Sequence, residues 1–111
     1  MKTKKNIMKK LALGDKLTKE CMRVLNLSIN NDGCVINDGD IMDWNDWECI
    51  SLFSPISYEG DRIDGVLFFG DGTIEFHLEN DCDAINWIDL SNDYIKMIIE
   101  KLAENQCSKF V

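Results

Sequence analysis

Apolar residues recur with a helical period at both ends of the chain. In the N-terminal part they lie three, four, six or seven positions apart with lysines between them, which predicts a helix over about residues 5–26. Within it, Gly14-Asp15 is a potential break, because Asp15 is a good N-cap for a second helical piece. Near the other end, an apolar stripe behind Ser91 predicts a helix over about residues 92–104. Its members are Ile95, Ile98, Ile99 and Leu102.

Between these helices, alternation and turn signals predict three antiparallel strands. Asp71-Gly72 is flanked by apolar runs and is a strong two-residue hairpin signal, and Glu59-Gly60 is a second tight turn. The predicted strands cover about residues 48–57, 61–69 and 73–79. We therefore expect a three-stranded antiparallel meander.

The two turns, each treated as a two-residue loop, place one set of apolar residues on the same face of the meander. This set is Ile50, Leu52, Ile56, Ile63, Leu67, Phe69, Ile74, Phe76 and Leu78. Leu67 then faces Phe76 in the core, while Val66 pairs with His77 on the outer face. Because a one-residue shift in either turn would scatter the apolar set, the agreement between the turns supports this register.

The predicted elements form an α+β two-layer sandwich, in which the meander packs its apolar face against the N-terminal and C-terminal helices. A length of 111 residues suits a single domain with its own core. Residues 30–47 are rich in Asn, Asp and Gly, so we expect a loop there, with Val35-Ile36 as one short strand.

Charge is distributed unevenly along the chain, whose net charge is −8. Residues 1–23 carry eight Lys or Arg and two acids, whereas residues 24–95 carry sixteen acids and a single base, Arg62. Such an acidic body disfavours nucleic acid, because that binding depends on neutralising phosphates. It favours a protein partner with a basic surface. The basic N-terminal segment either packs on the acidic body or contacts nucleic acid or a membrane surface.

The cysteines are odd in number, widely separated and without a Cys-x-x-Cys pair: Cys21, Cys34, Cys49, Cys82 and Cys107. This spacing fits neither a disulfide framework nor a structural zinc site, so we expect reduced thiols and no metal. The apolar run at residues 11–13 is too short for a signal sequence, and no stretch is long enough to span a membrane. We therefore expect a cytoplasmic protein.

His77 is the single histidine and lies between Glu75 and Glu79 on a predicted strand. A histidine beside carboxylates can act as a general base or a metal ligand. No nucleophile motif or glycine-rich phosphate loop accompanies it, so a surface histidine is the simpler interpretation, and we predict no catalytic residue and no cofactor. The acidic residues between Asp38 and Asp46 are the alternative place for a loosely bound cation.

The sequence contains two candidate interaction surfaces. The first is an acidic segment with two tryptophans, a residue type that often dominates binding energy at interfaces. It consists of Asp43, Trp44, Asp46, Trp47 and Glu48. The alternative is that these tryptophans anchor the end of the core, as Trp87 is expected to do. The second surface is the predicted outer face of the meander, unless a helix or loop covers it. Its members are Phe53, Val66, Phe68 and His77.

These features predict a non-catalytic, small acidic interaction module that binds a basic protein, in the manner of an immunity or inhibitor protein. A dense acidic surface suits that role, since it speeds the capture of a cationic partner. The alternatives are an inhibitor that mimics nucleic acid, an accessory structural or homodimeric subunit, and a small metal-dependent protein that uses His77 or the carboxylates of residues 38–46.

Overall fold

The computed structural model describes residues 4–81 and 83–109, which form two α-helices and two antiparallel sheets. In chain order the elements are α1 (Lys4–Leu25), β1 (Ser28–Ile29), β2 (Val35–Asn37), β3 (Asp40–Ile41), β4 (Trp47–Tyr58), β5 (Asp61–Phe69), β6 (Ile74–Leu78), β7 (Ala84–Asn86), a 3-10 helix (Trp87–Asp89), α2 (Asn92–Ala103) and β8 (Cys107–Lys109). The small sheet has the order β1-β2-β3 and the large sheet the order β7-β6-β5-β4-β8. The α+β class is therefore confirmed, and the three predicted strands form the centre of a five-stranded sheet.

The small sheet occupies much of the segment that the sequence predicts to be a loop. Asn30 shapes its first turn, where the side-chain Oδ1 accepts hydrogen bonds from the backbone N–H groups of Asp32 at 3.0 Å and Cys34 at 2.9 Å. Asp38 and Gly39 form its second turn, and both have the positive φ angles that a type I′ hairpin turn requires. The turns were thus predictable, whereas strands of two or three residues are too short to show alternation.

One hydrophobic core lies between the two helices and one face of the large sheet. In α2 it contains the predicted apolar stripe, since all four of its residues are buried. Ser91 is the N-cap residue of α2, although its side chain makes no capping hydrogen bond. At the end of α1, the guanidinium of Arg23 donates a hydrogen bond to the carbonyl of Leu102 at 2.7 Å and joins the two helices. Both helices therefore cover the same face of the large sheet and leave the opposite face to other contacts.

α1 continues through Gly14-Asp15 without the break that the sequence suggests. Gly14 is buried under the side chain of Trp87, and a Cβ at position 14 would lie 2.4 Å from Cη2 of that indole. The glycine therefore permits close packing rather than a turn. Trp87 is only partly buried against the core. The ammonium group of Lys10 lies 5.9 Å from the centroid of the Trp87 ring, within the range of a cation–π contact.

The predicted register of the β5–β6 hairpin is wrong by one residue. The N–H of Phe69 donates to the carbonyl of Thr73, and the N–H of Gly72 donates to the carbonyl of Phe69, both at 2.9 Å. The loop therefore contains three residues, with Gly72 at φ +88°. Three-residue loops are among the most common hairpin connections after two-residue loops. As a result Val66 faces Phe76, and His77 faces Gly65.

A β-bulge at Asp64 explains why most of the predicted core is nevertheless correct. Ile63 pairs with Leu78 and Gly65 pairs with His77, so Asp64 is the extra residue in β5. The extra residue reverses the alternation of side chains between the two faces of the sheet, so the residues of β5 after Asp64 project from the faces opposite to those predicted. Seven of the nine predicted core residues are buried, whereas Leu67 and Phe69 face outward and Val66 and Phe68 replace them in the core. Placing Val66 and Phe68 on an exposed patch was therefore an error.

Candidate interaction surface

The face of the large sheet opposite the core, here called the outer face, carries three rows of paired residues. In the first row Trp47 pairs with Phe69, and in the second Cys49 pairs with Leu67. In the third, Gly65 pairs with Ser51 on one side and His77 on the other. Because side chains alternate along a strand, the members of these rows project from the same face. The outer face thus has an apolar end and a polar end.

Trp44 reaches this face from a turn that precedes β4. The turn is closed by a hydrogen bond from the N–H of Asp46 to the carbonyl of Asp43 at 3.0 Å. The β5–β6 loop supports it, since the N–H of Gly70 donates to the carbonyl of Asp46 at 2.9 Å. A Cβ at position 70 would lie 1.9 Å from the carbonyl oxygen of Asp43, so only glycine allows this close approach. The hairpin loop therefore fixes the position of the Trp44 turn.

Both tryptophans of the acidic segment are exposed. The exposed fraction is 72% for Trp44 and 56% for Trp47, so neither indole anchors the core. Trp44 and Phe69 line one cleft, together with the acids Asp71 and Glu75. We call Trp44, Trp47, Leu67 and Phe69 the tryptophan surface, because they follow one another across the apolar end of the outer face.

A groove of about 490 Å³ continues from Trp47 towards the polar end of the outer face. It is lined by Trp47, Cys49, Ser51, Asp64, Gly65, Leu67, His77, Asp83 and Ala84. The bulge brings Asp64 next to His77, whose Nδ1 lies 2.6 Å from Oδ1 of the carboxylate. Gly65 lies in the floor, where an added Cβ would be 3.1 Å from the carbonyl oxygen of Ile50. The groove therefore joins an aromatic wall to a hydrogen-bonded acid–histidine pair.

The surroundings of Cys49 in the groove disfavour its thiolate form. Burial, and secondarily the charge of Asp64, raise the pKa of the Cys49 thiol. A raised pKa keeps this cysteine in the neutral thiol form, which is a poor nucleophile and a poor metal ligand. Within residues 4–81 and 83–109, no group of three or more His, Cys, Asp or Glu side chains is arranged to hold a metal ion.

The structure brings together most of the predicted acidic segment but not all of it. Asp43, Trp44, Asp46 and Trp47 lie at the edge of the outer face. Glu48 points to the other side of β4, opposite the buried Phe68, and its carboxylate accepts a hydrogen bond from the side chain of Asn37 at 2.8 Å.

The second predicted patch is divided by the bulge. Phe53 is 65% exposed within the irregular part of β4, His77 lies in the groove, and the other two members are in the core. Sequence reasoning missed Leu67, Phe69 and Asp64 as surface residues for the same reason. A polar residue within an apolar strand was the available signal for the bulge, since Asp64 interrupts the run that leads to Phe69.

Comparison of the chain with protein-family models, with curated proteins and with solved structures found no match. Neither helix in the described ranges is long and apolar enough to cross a membrane.

Proposed function

We propose that the protein is a non-catalytic interaction module that binds a basic surface of another protein through the tryptophan surface. The observation that carries this proposal is the exposure of Trp44 and Trp47 on a sheet face that neither helix covers. Tryptophan is enriched among the residues that dominate binding energy, and exposed apolar patches commonly mark protein contacts. An immunity or inhibitor protein is the class of binder that these features fit.

The charges around the tryptophan surface indicate the sign of the charge on the partner's surface. Asp43 and Asp46 flank Trp44 in the chain, and Asp71 and Glu75 line the cleft beneath it. Among the described residues, no lysine or arginine lines this cleft or the groove beside Trp47. A partner with a basic surface would therefore be attracted over a distance of about one Debye length, roughly 8 Å at physiological salt.

Affinity capture tests this proposal with a matched set of variants. The tagged protein, its double variant Trp44→Ala/Trp47→Ala and the control Phe53→Ala are each used to capture partners from the cells that express the protein. Phe53 is an exposed aromatic residue outside the tryptophan surface, so the control removes exposed aromatic area from another part of β4. We expect one protein with a basic surface to be retained by the wild type and the control and lost with the double variant. Equal retention by all three would contradict the proposal.

Self-association is a second candidate, and the exposed apolar side of α1 favours it. Ile7, Met8 and Leu11 are each more than half exposed on the basic N-terminal half of this helix. A second copy offers the acidic outer face as a complementary surface. Sedimentation equilibrium at low and high salt decides this point, since a charge-driven dimer should dissociate as salt is added. A monomer at low salt removes this candidate.

A further inference from the structure

The polar groups that line the groove beside Trp47 are chiefly hydrogen-bond acceptors. Asp64 and Asp83 contribute carboxylates, and Ser51 contributes a hydroxyl. Oδ1 of Asp83 already accepts the N–H of Ala84 at 2.8 Å, and Oδ1 of Asp64 is bonded to His77. Because a carboxylate has about four acceptor positions, both side chains can accept further hydrogen bonds. The groove is therefore suited to a ligand with several hydrogen-bond donors.

His77 also lines the groove and is hydrogen-bonded to Asp64. Its Nδ1 faces a carboxylate oxygen at 2.6 Å, and an ionised carboxylate only accepts, so Nδ1 carries the proton. In the neutral ring Nε2 then bears a lone pair. The carboxylate of Asp64, which His77 holds in place, therefore presents its remaining acceptor positions to the groove.

The apolar walls define the rest of the ligand. The indole of Trp47 forms one side, and Leu67 and Cys49 form the next row of the sheet. A guanidinium group has five N–H donors and no acceptor, is planar and weakly hydrated, and stacks on aromatic faces. An ammonium group is more strongly hydrated and does not stack as a plane, so it matches this wall less well.

We propose that this groove receives an arginine side chain of the basic partner, whose guanidinium stacks on Trp47 and donates hydrogen bonds to Asp64 and Asp83. The inference rests on the proposed function and names the side chain that the partner presents. It also assigns separate roles to the two tryptophans: Trp47 contacts the arginine, and Trp44 contacts the apolar surroundings of that arginine.

Short peptides test the groove without knowledge of the partner. The probes are acetyl-Gly-Arg-Gly-amide, the lysine analogue and the citrulline analogue, which keeps the size of arginine but lacks its charge. Each is titrated into the ¹⁵N-labelled full chain, and the indole and backbone N–H signals are followed by NMR. The variants are Asp64→Asn and Asp83→Asn, which keep an acceptor oxygen at each position. Asp38→Asn removes the same charge from the exposed β2–β3 turn and serves as the control.

The expected result is weak, saturable binding of the arginine peptide, with shifts at Trp47, Gly65 and Ala84 and little change at Trp44 or Trp87. Asp64→Asn should weaken this binding about fivefold, the scale of a half-exposed charge-assisted contact, while Asp38→Asn should leave it unchanged. A circular-dichroism melt of each variant confirms that the fold is retained.

Three results would overturn the inference. They are absence of saturable binding, equal binding of the citrulline or lysine peptide, and equal weakening by Asp64→Asn and Asp38→Asn, which would show a general charge effect. The proposed function fails separately, in the capture experiment. If the peptides fail while capture still depends on Trp44 and Trp47, the surface is a binding site without an arginine receptor.

Discussion

Replacing Gly70 with alanine should destabilise the fold and displace the Trp44 turn together. The added Cβ would lie 1.9 Å from the carbonyl oxygen of Asp43 and 2.7 Å from its carbonyl carbon. Favourable contacts between non-bonded heavy atoms are about 3.5 Å long, so the turn must retreat by more than about 1 Å. Because the obstacle is backbone, no change of rotamer relieves the contact.

The expected magnitude follows from three opposing effects of the Gly70→Ala substitution. Alanine restricts the unfolded chain and thereby favours folding by about 0.4–1 kcal/mol. Overpacking costs about 1–3 kcal/mol. Retreat of the turn also strains the hydrogen bond from the N–H of residue 70 to Asp46, worth about 1 kcal/mol. We therefore expect a net loss of about 2 kcal/mol in the free energy of unfolding.

Urea denaturation measures the loss of stability, and the indole N–H signal of Trp44 in an NMR spectrum reports the displacement. Gly72→Ala is the matched control in the same loop. Its Cβ would meet no atom of residues 4–81 or 83–109 within 4 Å, but its φ of +88° strains an L-residue, so it should lose stability without moving Trp44. A Gly70→Ala protein that is as stable as the wild type, or whose Trp44 signal stays in place, would refute the close packing of the two loops.

Three further substitutions test the register, the helix packing and the groove. Phe68→Ala should lower the free energy of unfolding by about 3–5 kcal/mol and Phe69→Ala by much less, because only Phe68 is buried; equal losses in urea denaturation would contradict the bulged register. Gly14→Ala should destabilise by about 1–3 kcal/mol although alanine is the better helix former, because its Cβ collides with the indole packed on it; a raised melting temperature would disprove that packing. Asp64→Asn should accelerate alkylation of Cys49 by iodoacetamide at neutral pH. Removing the negative charge lowers the pKa of this thiol and increases its thiolate fraction. An unchanged alkylation rate, measured by site-resolved mass spectrometry, would contradict the electrostatic effect of Asp64 on Cys49.

The sequence predicts the helices and the central strands well, because each is long enough to repeat its pattern. α2 buries the four apolar residues that its period identifies. The short strands β7 and β8 contain three residues each and show no recognisable alternation. They are paired because neighbouring strands offer free edges, which is information that only the folded sheet contains.

The outer face was harder to predict than the core. A three-residue loop and a bulge at Asp64 each change the face of the sheet from which the side chains of β5 project. Turn residues alone do not distinguish loops of two and three residues. The two errors, in the loop length and in the missing bulge, partly compensate in the core, because the predicted and the observed register both bury apolar side chains. They do not compensate on the surface, where the sequence predicts Val66 and Phe68 but the structure has Leu67 and Phe69. The acidic tryptophan segment was identified from composition, but its exposure depends on the contact between its turn and Gly70.

Binding kinetics with the captured partner test the central proposal most directly, because charge and tryptophan act on different rate constants. Wild type, Trp44→Ala/Trp47→Ala and Phe53→Ala are compared at low and high salt by surface plasmon resonance. We expect the association rate constant to fall with salt in all three proteins, because the acidic face steers the partner. We expect the dissociation rate constant to rise at least about tenfold in the double variant alone, because it loses the short-range contact. A dissociation rate that the double variant leaves unchanged, or an association rate that salt does not affect, would contradict the assignment of this surface.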